Sequence, residues 1–278
     1  TNNDWKCIED RFEKKLSSWK GKLMSYGGRL ILINSVLTSL HMFLLSFFEV
    51  PVGVRKRLDF YRSRFFWESD EVKRKYRLAK WDVICRPKDQ GGLGVENLEV
   101  KNRCILRKWL YKLSAETEAT WAQILRNKYL YSKTLSQVTA RPTDSPFWKG
   151  LMRVKATFFN RTKFIVGDGN NTRFWEDTWL GDTPLALQYP SLYRIVQRRD
   201  ALVATSLQSA PLNIHFRRVL AGDRWEAWIH LVNRLMEVQL THQPDQLCWK
   251  LTRSGEFTAK SMYIDVINSS VIPSSKHV

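Results

Sequence analysis

Adjacent acidic residues occur at three places in this 278-residue chain, and they are the first candidates for chemistry. The pairs are Glu9-Asp10, Asp70-Glu71 and Glu176-Asp177. Phosphoryl transfer often uses two divalent cations held by paired carboxylates on a rigid support. The first pair lies on the polar side of a predicted helix and the second within a basic loop, so both are expected at the solvated surface. The third follows a predicted strand, where a turn or capping role is the better interpretation.

Histidine and cysteine provide no further catalytic or metal-binding candidate. The five histidines have no serine or cysteine nucleophile at a recognisable spacing. The four cysteines, Cys7, Cys85, Cys104 and Cys248, form no C-x-x-C pair and have no histidine at zinc-binding spacing. The sequence therefore predicts no catalytic residue and no metal site. Scattered cysteines fit a reducing compartment, which is the nucleus or the cytoplasm.

Positive charge is the strongest chemical signal in the sequence. Lysine and arginine total 45 against 27 aspartate and glutamate, which gives a formal net charge of +18. Residues 1–150 hold 29 basic and 16 acidic residues, whereas residues 151–278 hold 16 and 11. Such an excess favours polyanionic partners, phosphate backbones first and anionic membrane surfaces second. We therefore expect a nucleic acid as the partner, bound mostly by the first half of the chain.

Three basic stretches of the first half are the candidate phosphate contacts. Gly27 and Gly28 allow a tight turn into a helix start, whose backbone amides can also meet phosphate. The predicted nucleic-acid-binding residues are Lys20, Lys22, Arg29, Arg55, Lys56, Arg62, Lys73, Arg74, Lys75 and Arg77. The alternative is a solvated positive face that only keeps the protein soluble. The size of the charge excess favours binding.

Helices must position these cations, and apolar periodicity predicts where the helices lie. Trp5, Ile8 and Phe12 begin a stripe with steps of three and four residues, as in an amphipathic helix. A long uncharged helix is expected from Arg29 until Pro51 ends it. Asn97 is a predicted helix cap. Other helices are predicted over residues 53–67, 98–113, 120–131, 146–159, 222–238 and 259–268.

Short β-prone runs predict a small antiparallel component. Residues 163–167 and 172–176 flank Asp168-Gly169-Asn170, which is a good hairpin signal. Residues 247–251 and 256–258 could pair in the same way across Ser254-Gly255. The predicted fold class is therefore α+β, mainly α, with small antiparallel β-hairpins.

One apolar stretch raises the alternative of a membrane-associated protein. Residues 30–48 carry no charge over about one bilayer thickness. Six polar residues interrupt the stretch, and a lipid-facing helix tolerates them poorly. They are Asn34, Ser35, Thr38, Ser39, His41 and Ser46. A core helix of a soluble domain is the better interpretation, so no membrane partner is expected.

Four clusters of residues remain, and together they point to one family. The first holds Trp19-Lys20, Gly27-Gly28-Arg29 and Asn34-Ser35-Val36-Leu37. The second holds Trp81-Asp82-Val83-Ile84-Cys85, Pro87-Lys88, Gly91-Gly92-Leu93-Gly94 and Lys108-Trp109. The third holds Val166-Gly167-Asp168-Gly169, Phe174-Trp175 and Trp179, and the fourth Trp249, Ser254-Gly255-Glu256-Phe257 and Lys260-Ser261-Met262-Tyr263. In order and composition the chain resembles the region after the polymerase palm in plant LINE-type (non-LTR) retrotransposon reverse transcriptases.

The resemblance implies a domain organisation and a function. Residues 1–115 would form a thumb-like basic helical region, residues 116–245 a helical connector with the hairpin near 163–176, and residues 246–278 the truncated start of a zinc-binding module. The chain would be a fragment of an RNA-directed DNA polymerase that binds the template–primer backbone. Its implied partners are RNA, an RNA–DNA hybrid or DNA, and the upstream palm of the same polyprotein. The family's aromatic-x-Asp-Asp motif is missing from the chain, so the fragment alone is expected to be inactive.

Cofactors and an alternative function follow from the same resemblance. The fragment is expected to hold no cofactor, whereas the parent polymerase would need Mg²⁺ and the complete downstream module would bind Zn²⁺. The alternative is a non-catalytic nucleic-acid-binding or scaffold protein that derives from a degenerate retroelement. An open reading frame upstream that encodes the palm carboxylates would support the polymerase, and stop codons there would support the relic.

Overall fold

A computed structural model describes residues 2–19, 24–40, 42–67, 77–115, 118–131, 133–209 and 211–270. These residues form thirteen α-helices and a two-stranded antiparallel sheet. The predicted α+β, mainly α, class is therefore confirmed. The chain divides into two units: the first contains residues 1–106, 145–150 and 259–278, and the second contains residues 107–144 and 151–258.

Four helices open the first unit and share one apolar core. They are α1 (Asn2–Ser18), α2 (Tyr26–Leu32), α3 (Met42–Phe47) and α4 (Val52–Trp67). Trp5, Ile8 and Phe12 of α1 are buried against the same core as Ile33 and Leu58. Since these three side chains follow helical spacing, they lie on one face of α1. The structure thus confirms the helix predicted from the stripe.

The stretch predicted as one long helix from Arg29 to Val50 is broken, which corrects that prediction. Helix α2 continues into a π-helical turn, Ile33–Leu37, and α3 begins only at Met42. The backbone amide and the hydroxyl of Thr38 both donate to the Ile33 carbonyl, at 3.0 and 2.8 Å. Such local side-chain hydrogen bonds compete with the regular helix ladder. In the described part of the chain, no helix has both the length and the apolar character needed to cross a bilayer.

Two further helices and a buried asparagine also belong to the first unit. Helix α5 is Trp81–Ile84, and helix α6, Leu98–Ala115, begins in this unit and continues into the second. The side-chain oxygen of Asn97 accepts from the amides of Glu99 and Val100 at 3.0 and 3.2 Å, which confirms the predicted cap. Asn102 is buried and binds the backbone of the α3 region: its amide nitrogen donates to Leu45 and Phe48 carbonyls.

The second unit contains six further helices of the described residues around an aromatic core. They are α7 (Thr120–Leu125), α8 (Pro146–Phe159, whose first residues belong to the first unit), α9 (Leu185–Gln188), α10 (Pro190–Tyr193), α11 (Val203–Leu207) and α12 (Asp223–Met236). Helices α8 and α12 match their predicted positions closely. Phe174, Trp175 and Trp179 are buried in this core with Leu231 and Leu235 of α12.

The small sheet forms between strands distant in sequence, so the predicted hairpin near 163–176 is wrong. Strand β1 (Thr162–Ile165) pairs antiparallel with β2 (Gln246–Trp249), with Thr162 opposite Trp249. Residues 172–176 form no strand, and neither do residues 256–258. The predicted region 246–278 is divided, because β2 lies in the second unit and the last helix, α13 (Ala259–Ser270), lies in the first.

Candidate nucleic-acid interface

The structure places the ten predicted phosphate contacts in very different environments. Five of them lie outside the described residues: Lys20, Lys22, Lys73, Arg74 and Lys75. Of the others, Arg29 and Arg62 are buried, Arg55 is half-buried, and Lys56 and Arg77 are exposed. The described residues therefore retain Lys56 and Arg77 as predicted contacts that solvent, and so a polyanion, can reach.

Arg29 is buried and hydrogen-bonded within the protein, which corrects its assignment as a phosphate contact. Its side chain is 5% exposed. Its guanidinium donates to the carbonyls of Phe66 and Met24, both at 3.1 Å, and lies 5.3 Å from the centre of the Tyr26 ring. The guanidinium thus fastens the start of α2 to the end of α4 instead of facing solvent.

Arg62 is also hydrogen-bonded within the protein, and its side chain is completely buried at 0% exposure. One guanidinium nitrogen donates to the Asp59 carboxylate at 3.0 Å, and another donates to the Glu96 carbonyl at 2.8 Å. The Trp81 ring lies 5.5 Å from its central carbon, and the Trp81 indole also donates to Asp59. A group with no exposed surface cannot meet a phosphate, so Arg62 is also corrected to a structural role.

Arg55 is engaged by an acid. It forms an ion pair with Glu99, whose carboxylate also lies 3.2 Å from Arg103. Because Glu99 already offsets its charge, Arg55 attracts a polyanion less strongly than an arginine without an acidic partner would.

The outer face of α4 carries exposed cations on either side of an aromatic ring. Lys56, Phe60 and Arg64, which we name the α4 outer face, are all exposed, and the Phe60 side chain has 50% of its surface accessible. They are spaced four residues apart, so they form one row along the helix that spans about 12 Å. Sequence analysis did not select Phe60 or Arg64, although the spacing of four from Lys56 was a visible signal.

Acidic side chains of α1 and α4 are engaged by other protein groups. Glu9 pairs with Arg57 at 2.7 Å, Asp59 binds Arg62, and Glu13 accepts a hydrogen bond from the Tyr61 hydroxyl. The hydrogen bond to Glu13 raises the pKa of Tyr61 to about 12. In contrast, α1 exposes four cations, Lys6, Arg11, Lys14 and Lys15, together with two acids, Asp10 and Glu13. The exposed charge of these two helices is therefore mainly positive.

The Glu176-Asp177 pair is part of the fold of the second unit. Asp177 is buried and accepts hydrogen bonds from the Ser136 hydroxyl at 3.1 Å and the Arg173 amide at 2.7 Å. Burial raises the pKa of Asp177, and Arg173 acts in the opposite direction. Glu176 binds Arg173 and Tyr193. Over the described residues, no group of three or more His, Cys, Asp or Glu side chains is arranged to hold a metal ion.

Lys155 gives the second unit a testable pH dependence. Its ammonium donates to the carbonyls of Ser136 at 2.8 Å and Val138 at 2.5 Å. Burial lowers the pKa of Lys155 from 10.5 to about 8, helped by the nearby Arg173. Between these two pH values the unfolded chain binds the proton and the folded chain does not, so this group makes stability rise with pH.

We therefore expect the unfolding free energy of wild type, minus that of Lys155→Met, to increase between about pH 8 and 10.5. Taking this difference removes the contribution of the tyrosines and cysteines, which titrate in both proteins. Urea unfolding at several pH values measures it. A difference that stays flat or falls over this range would contradict the assigned pKa.

Asp245 organises the loop that sequence analysis read as a hairpin turn. One carboxylate oxygen accepts from the amides of Gly167 and Gly169 at 2.8 and 2.9 Å. The other accepts from the Asn171 amide at 2.9 Å and the Thr172 hydroxyl at 2.8 Å. The loop is thus closed by a side chain about 75 residues away, and no local signal in the sequence marks this contact.

Comparison with known proteins finds two plant relatives, and no protein-family model matches the chain. The chain is 29% identical over 259 residues to an Arabidopsis thaliana protein named "Putative ribonuclease H protein"; the match covers 92% of this chain and 41% of that relative. It is 27% identical over 149 residues to an "Uncharacterized mitochondrial protein" of the same organism. That match covers 53% of this chain and 97% of that relative. The chain therefore spans less than half of the first relative and almost all of the second.

Proposed function

We propose that this chain is a retroelement-derived, nucleic-acid-binding segment of a plant LINE-type reverse transcriptase, and that it contacts the template–primer backbone through the α4 outer face. The four motif clusters support the reverse-transcriptase assignment. The similarity to the plant ribonuclease H relative over 92% of the chain supports the plant retroelement origin. The observation that carries the binding function is the exposed row of Lys56, Phe60 and Arg64 beside acids that are engaged by protein groups.

The chemistry of such a surface is backbone binding without base readout. Two cations separated by about 12 Å along a helix can contact phosphates of one strand while the helix lies against it. Lysine and arginine neutralise phosphate and release counterions, so affinity falls steeply as salt rises. Binding of this kind has little sequence preference, as a template-handling segment requires.

Catalysis belongs to other parts of the proposed parent protein. The chain has no Asp-Asp pair, so we propose that nucleotide transfer with Mg²⁺ occurs on an upstream palm, and that a complete downstream module binds Zn²⁺. The name of the first relative describes a protein of which more than half lies outside the aligned region. We accordingly assign no ribonuclease activity to the segment.

A second candidate is a protein that binds nucleic acid without any polymerase. The mitochondrial relative favours it, because the matched region makes up 97% of that protein. An upstream reading frame that encodes palm carboxylates supports the polymerase segment, whereas stop codons there support the stand-alone protein. Both candidates use the same α4 outer face.

Reversal of the two cations tests the binding function. Lys56→Glu combined with Arg64→Glu is expected to weaken binding to a labelled RNA–DNA hybrid by about tenfold or more near 0.1 M salt. The slope of log K against log salt should shrink by about two, since two phosphate contacts are lost. Fluorescence anisotropy at several salt concentrations measures both quantities, with circular dichroism as the check that α4 is intact.

A matched variant distinguishes this local contact from the general charge. Arg217→Glu combined with Arg218→Glu makes the same change in charge at two exposed positions of the second unit. We expect this variant to keep the wild-type salt slope. If both double variants weaken binding equally, only net charge matters, and the α4 outer face has no specific role.

A further inference from the structure

A short turn in the second unit presents an aromatic side chain to solvent. A π-helical turn, Arg126–Leu130, follows α7 and ends at Tyr131, whose amide donates to the Arg126 carbonyl at 3.1 Å. The chain then turns, and the Lys133 amide donates to the Leu130 carbonyl at 2.9 Å. We name residues 126–131 together with Lys133 the Tyr131 turn. Its tyrosine is 80% exposed.

The base of the Tyr131 turn is held firmly. The Arg126 guanidinium donates to the Leu113 carbonyl of α6 at 2.5 Å, and Leu130 is buried at 5% exposure. The rings of Trp109 and Trp121 pack edge to face at 5.3 Å and connect α6 with α7. These contacts attach the backbone at the base of the Tyr131 turn to α6 and α7.

Tyr131 also adopts a backbone conformation that its residue type disfavours. Its φ is +51° and its ψ is −115°, and it is the one non-glycine residue with positive φ in the described part of the chain. Such conformations cost free energy and persist where the surrounding structure imposes them, often at functional sites. An 80% exposed ring recovers little of that cost by packing within the chain. A tyrosine here is therefore better explained by an external ligand than by stability.

Cations flank the exposed ring on both sides in sequence. Lys128 and Lys133 are exposed, and the Lys128 ammonium lies 5.4 Å from the centre of the neighbouring Tyr129 ring. An exposed ring between lysines suits unpaired nucleotides, because the ring stacks on a base while the ammonium groups bind the adjacent phosphates. A duplex keeps its bases stacked on each other and does not offer their faces to such a ring.

We propose that Tyr131 stacks on an unpaired base, and that the Tyr131 turn is a contact site for single-stranded nucleic acid. Lys128 and Lys133 bind the phosphates on either side of that base. This site lies in the second unit, whereas the α4 outer face lies in the first, so it is an activity beyond the proposed backbone contact. It can be present or absent independently of the α4 outer face.

Binding of a labelled 15-nucleotide oligouridine and oligodeoxythymidine tests the site. Tyr131→Ala is expected to weaken binding to both by about tenfold, whereas Tyr131→Trp should retain the wild-type affinity. Binding to a blunt RNA–DNA duplex should not change. Trp225→Ala is the matched control, since Trp225 is 52% exposed in the same unit but lies beside Asp223 and Glu226; this variant should bind like wild type.

The experiments distinguish the contact at the Tyr131 turn from the backbone contact at the α4 outer face. Lys56→Glu with Arg64→Glu should leave the ratio between wild-type and Tyr131→Ala affinities unchanged for the single strands. The proposal is overturned if the wild-type chain does not bind either oligonucleotide, or if Tyr131→Ala binds as wild type does. The proposal is also overturned, in favour of a membrane contact, if the chain binds anionic vesicles and no oligonucleotide, and if Tyr131→Ala weakens the vesicle binding.

Tyr131→Gly separates a ligand-binding role from a structural role. Glycine adopts positive φ without steric cost, so this variant should raise the thermal unfolding midpoint by about 2–4 °C while it weakens oligonucleotide binding as Tyr131→Ala does. A lowered midpoint would show that the tyrosine is retained for stability, and the proposal would fail. Photocrosslinking with 5-iodouridine in the oligonucleotide should mark Tyr131, and crosslinks confined to other residues would contradict the site directly.

Discussion

Replacement of Arg62 by leucine is expected to lower the free energy of unfolding by about 3 kcal/mol or more. The guanidinium is fully buried, and it supplies the hydrogen bonds to the Asp59 carboxylate and to the Glu96 carbonyl. Its removal leaves a partly buried carboxylate without its cation and a backbone carbonyl without this donor. The stacking of the guanidinium on the Trp81 ring is lost as well. Urea unfolding followed by tryptophan fluorescence measures the change.

A position on the same helix provides the control for Arg62. Lys56 is exposed on the outer face of α4, so Lys56→Gln should change stability by less than about 0.5 kcal/mol. The contrast between two cations six residues apart is what assigns Arg62 to the core. If Arg62→Leu changed stability as little as Lys56→Gln does, Arg62 would have to reach solvent. Arg62 would then again be a candidate phosphate contact.

Replacement of Asp245 by alanine is expected to cost about 2–3 kcal/mol. The carboxylate accepts hydrogen bonds from three backbone amides and the Thr172 hydroxyl, and alanine leaves all four donors without this acceptor. The backbone at Gly167 also packs closely against the segment before Asp245, since an added Cβ there would lie 2.0 Å from the Gln243 carbonyl oxygen. The thermal midpoint and the urea unfolding curve of the second unit measure the loss.

Two further substitutions show whether the acceptor itself matters. Asp245→Asn keeps one acceptor oxygen and should be intermediate between wild type and alanine. Asp200→Ala removes an exposed carboxylate of the same unit and should change stability by less than about 0.5 kcal/mol. If Asp245→Ala were as mild as Asp200→Ala, water would satisfy the loop donors and the carboxylate would not hold the loop.

Much of the helical architecture could be predicted from the sequence, because helix formation depends on local spacing. The stripe beginning at Trp5 and the asparagine cap at Asn97 both appear where they were expected. The glycine-rich segment Gly91-Gly92-Leu93-Gly94 is a further local feature, since a Cβ at Gly92 would lie 2.0 Å from the Arg86 carbonyl oxygen. Each of these features is decided by residues within a few positions of one another.

Features that depend on distant partners could not be predicted in this way. The β-propensity of residues 163–167 correctly indicated a strand, but its partner β2 lies about 80 residues later in the chain. Hairpin signals are local, so the sequence favours the nearby run at 172–176 as the partner instead. Asp245 closes the intervening loop from that same distant segment. Propensity identifies which residues can form a strand and does not identify which residues they pair with.

The burial of individual arginines also could not be predicted from the sequence. Arg62 and Lys56 are both cations on a predicted helix, and residue type alone gives them the same role. Their faces differ because Arg62 follows Leu58 by four residues and Leu58 is buried, whereas Lys56 precedes the exposed Phe60 by four. Net charge therefore predicted a polyanion partner but could not indicate which cations would meet it. Of the five predicted contacts that the structure describes, Lys56 and Arg77 are exposed.

Protection of Lys56 from acetylation by a bound RNA–DNA hybrid is the most direct test of the central claim, that the α4 outer face binds the sugar–phosphate backbone. The full chain would be treated with an acetylating reagent with and without the hybrid at low salt, and modification would be quantified by mass spectrometry. Lys260, exposed on α13, serves as the internal reference. We predict that the hybrid protects Lys56, that Lys260 is unaffected, and that raised salt abolishes the protection. Equal modification of Lys56 with and without a bound hybrid would contradict the account.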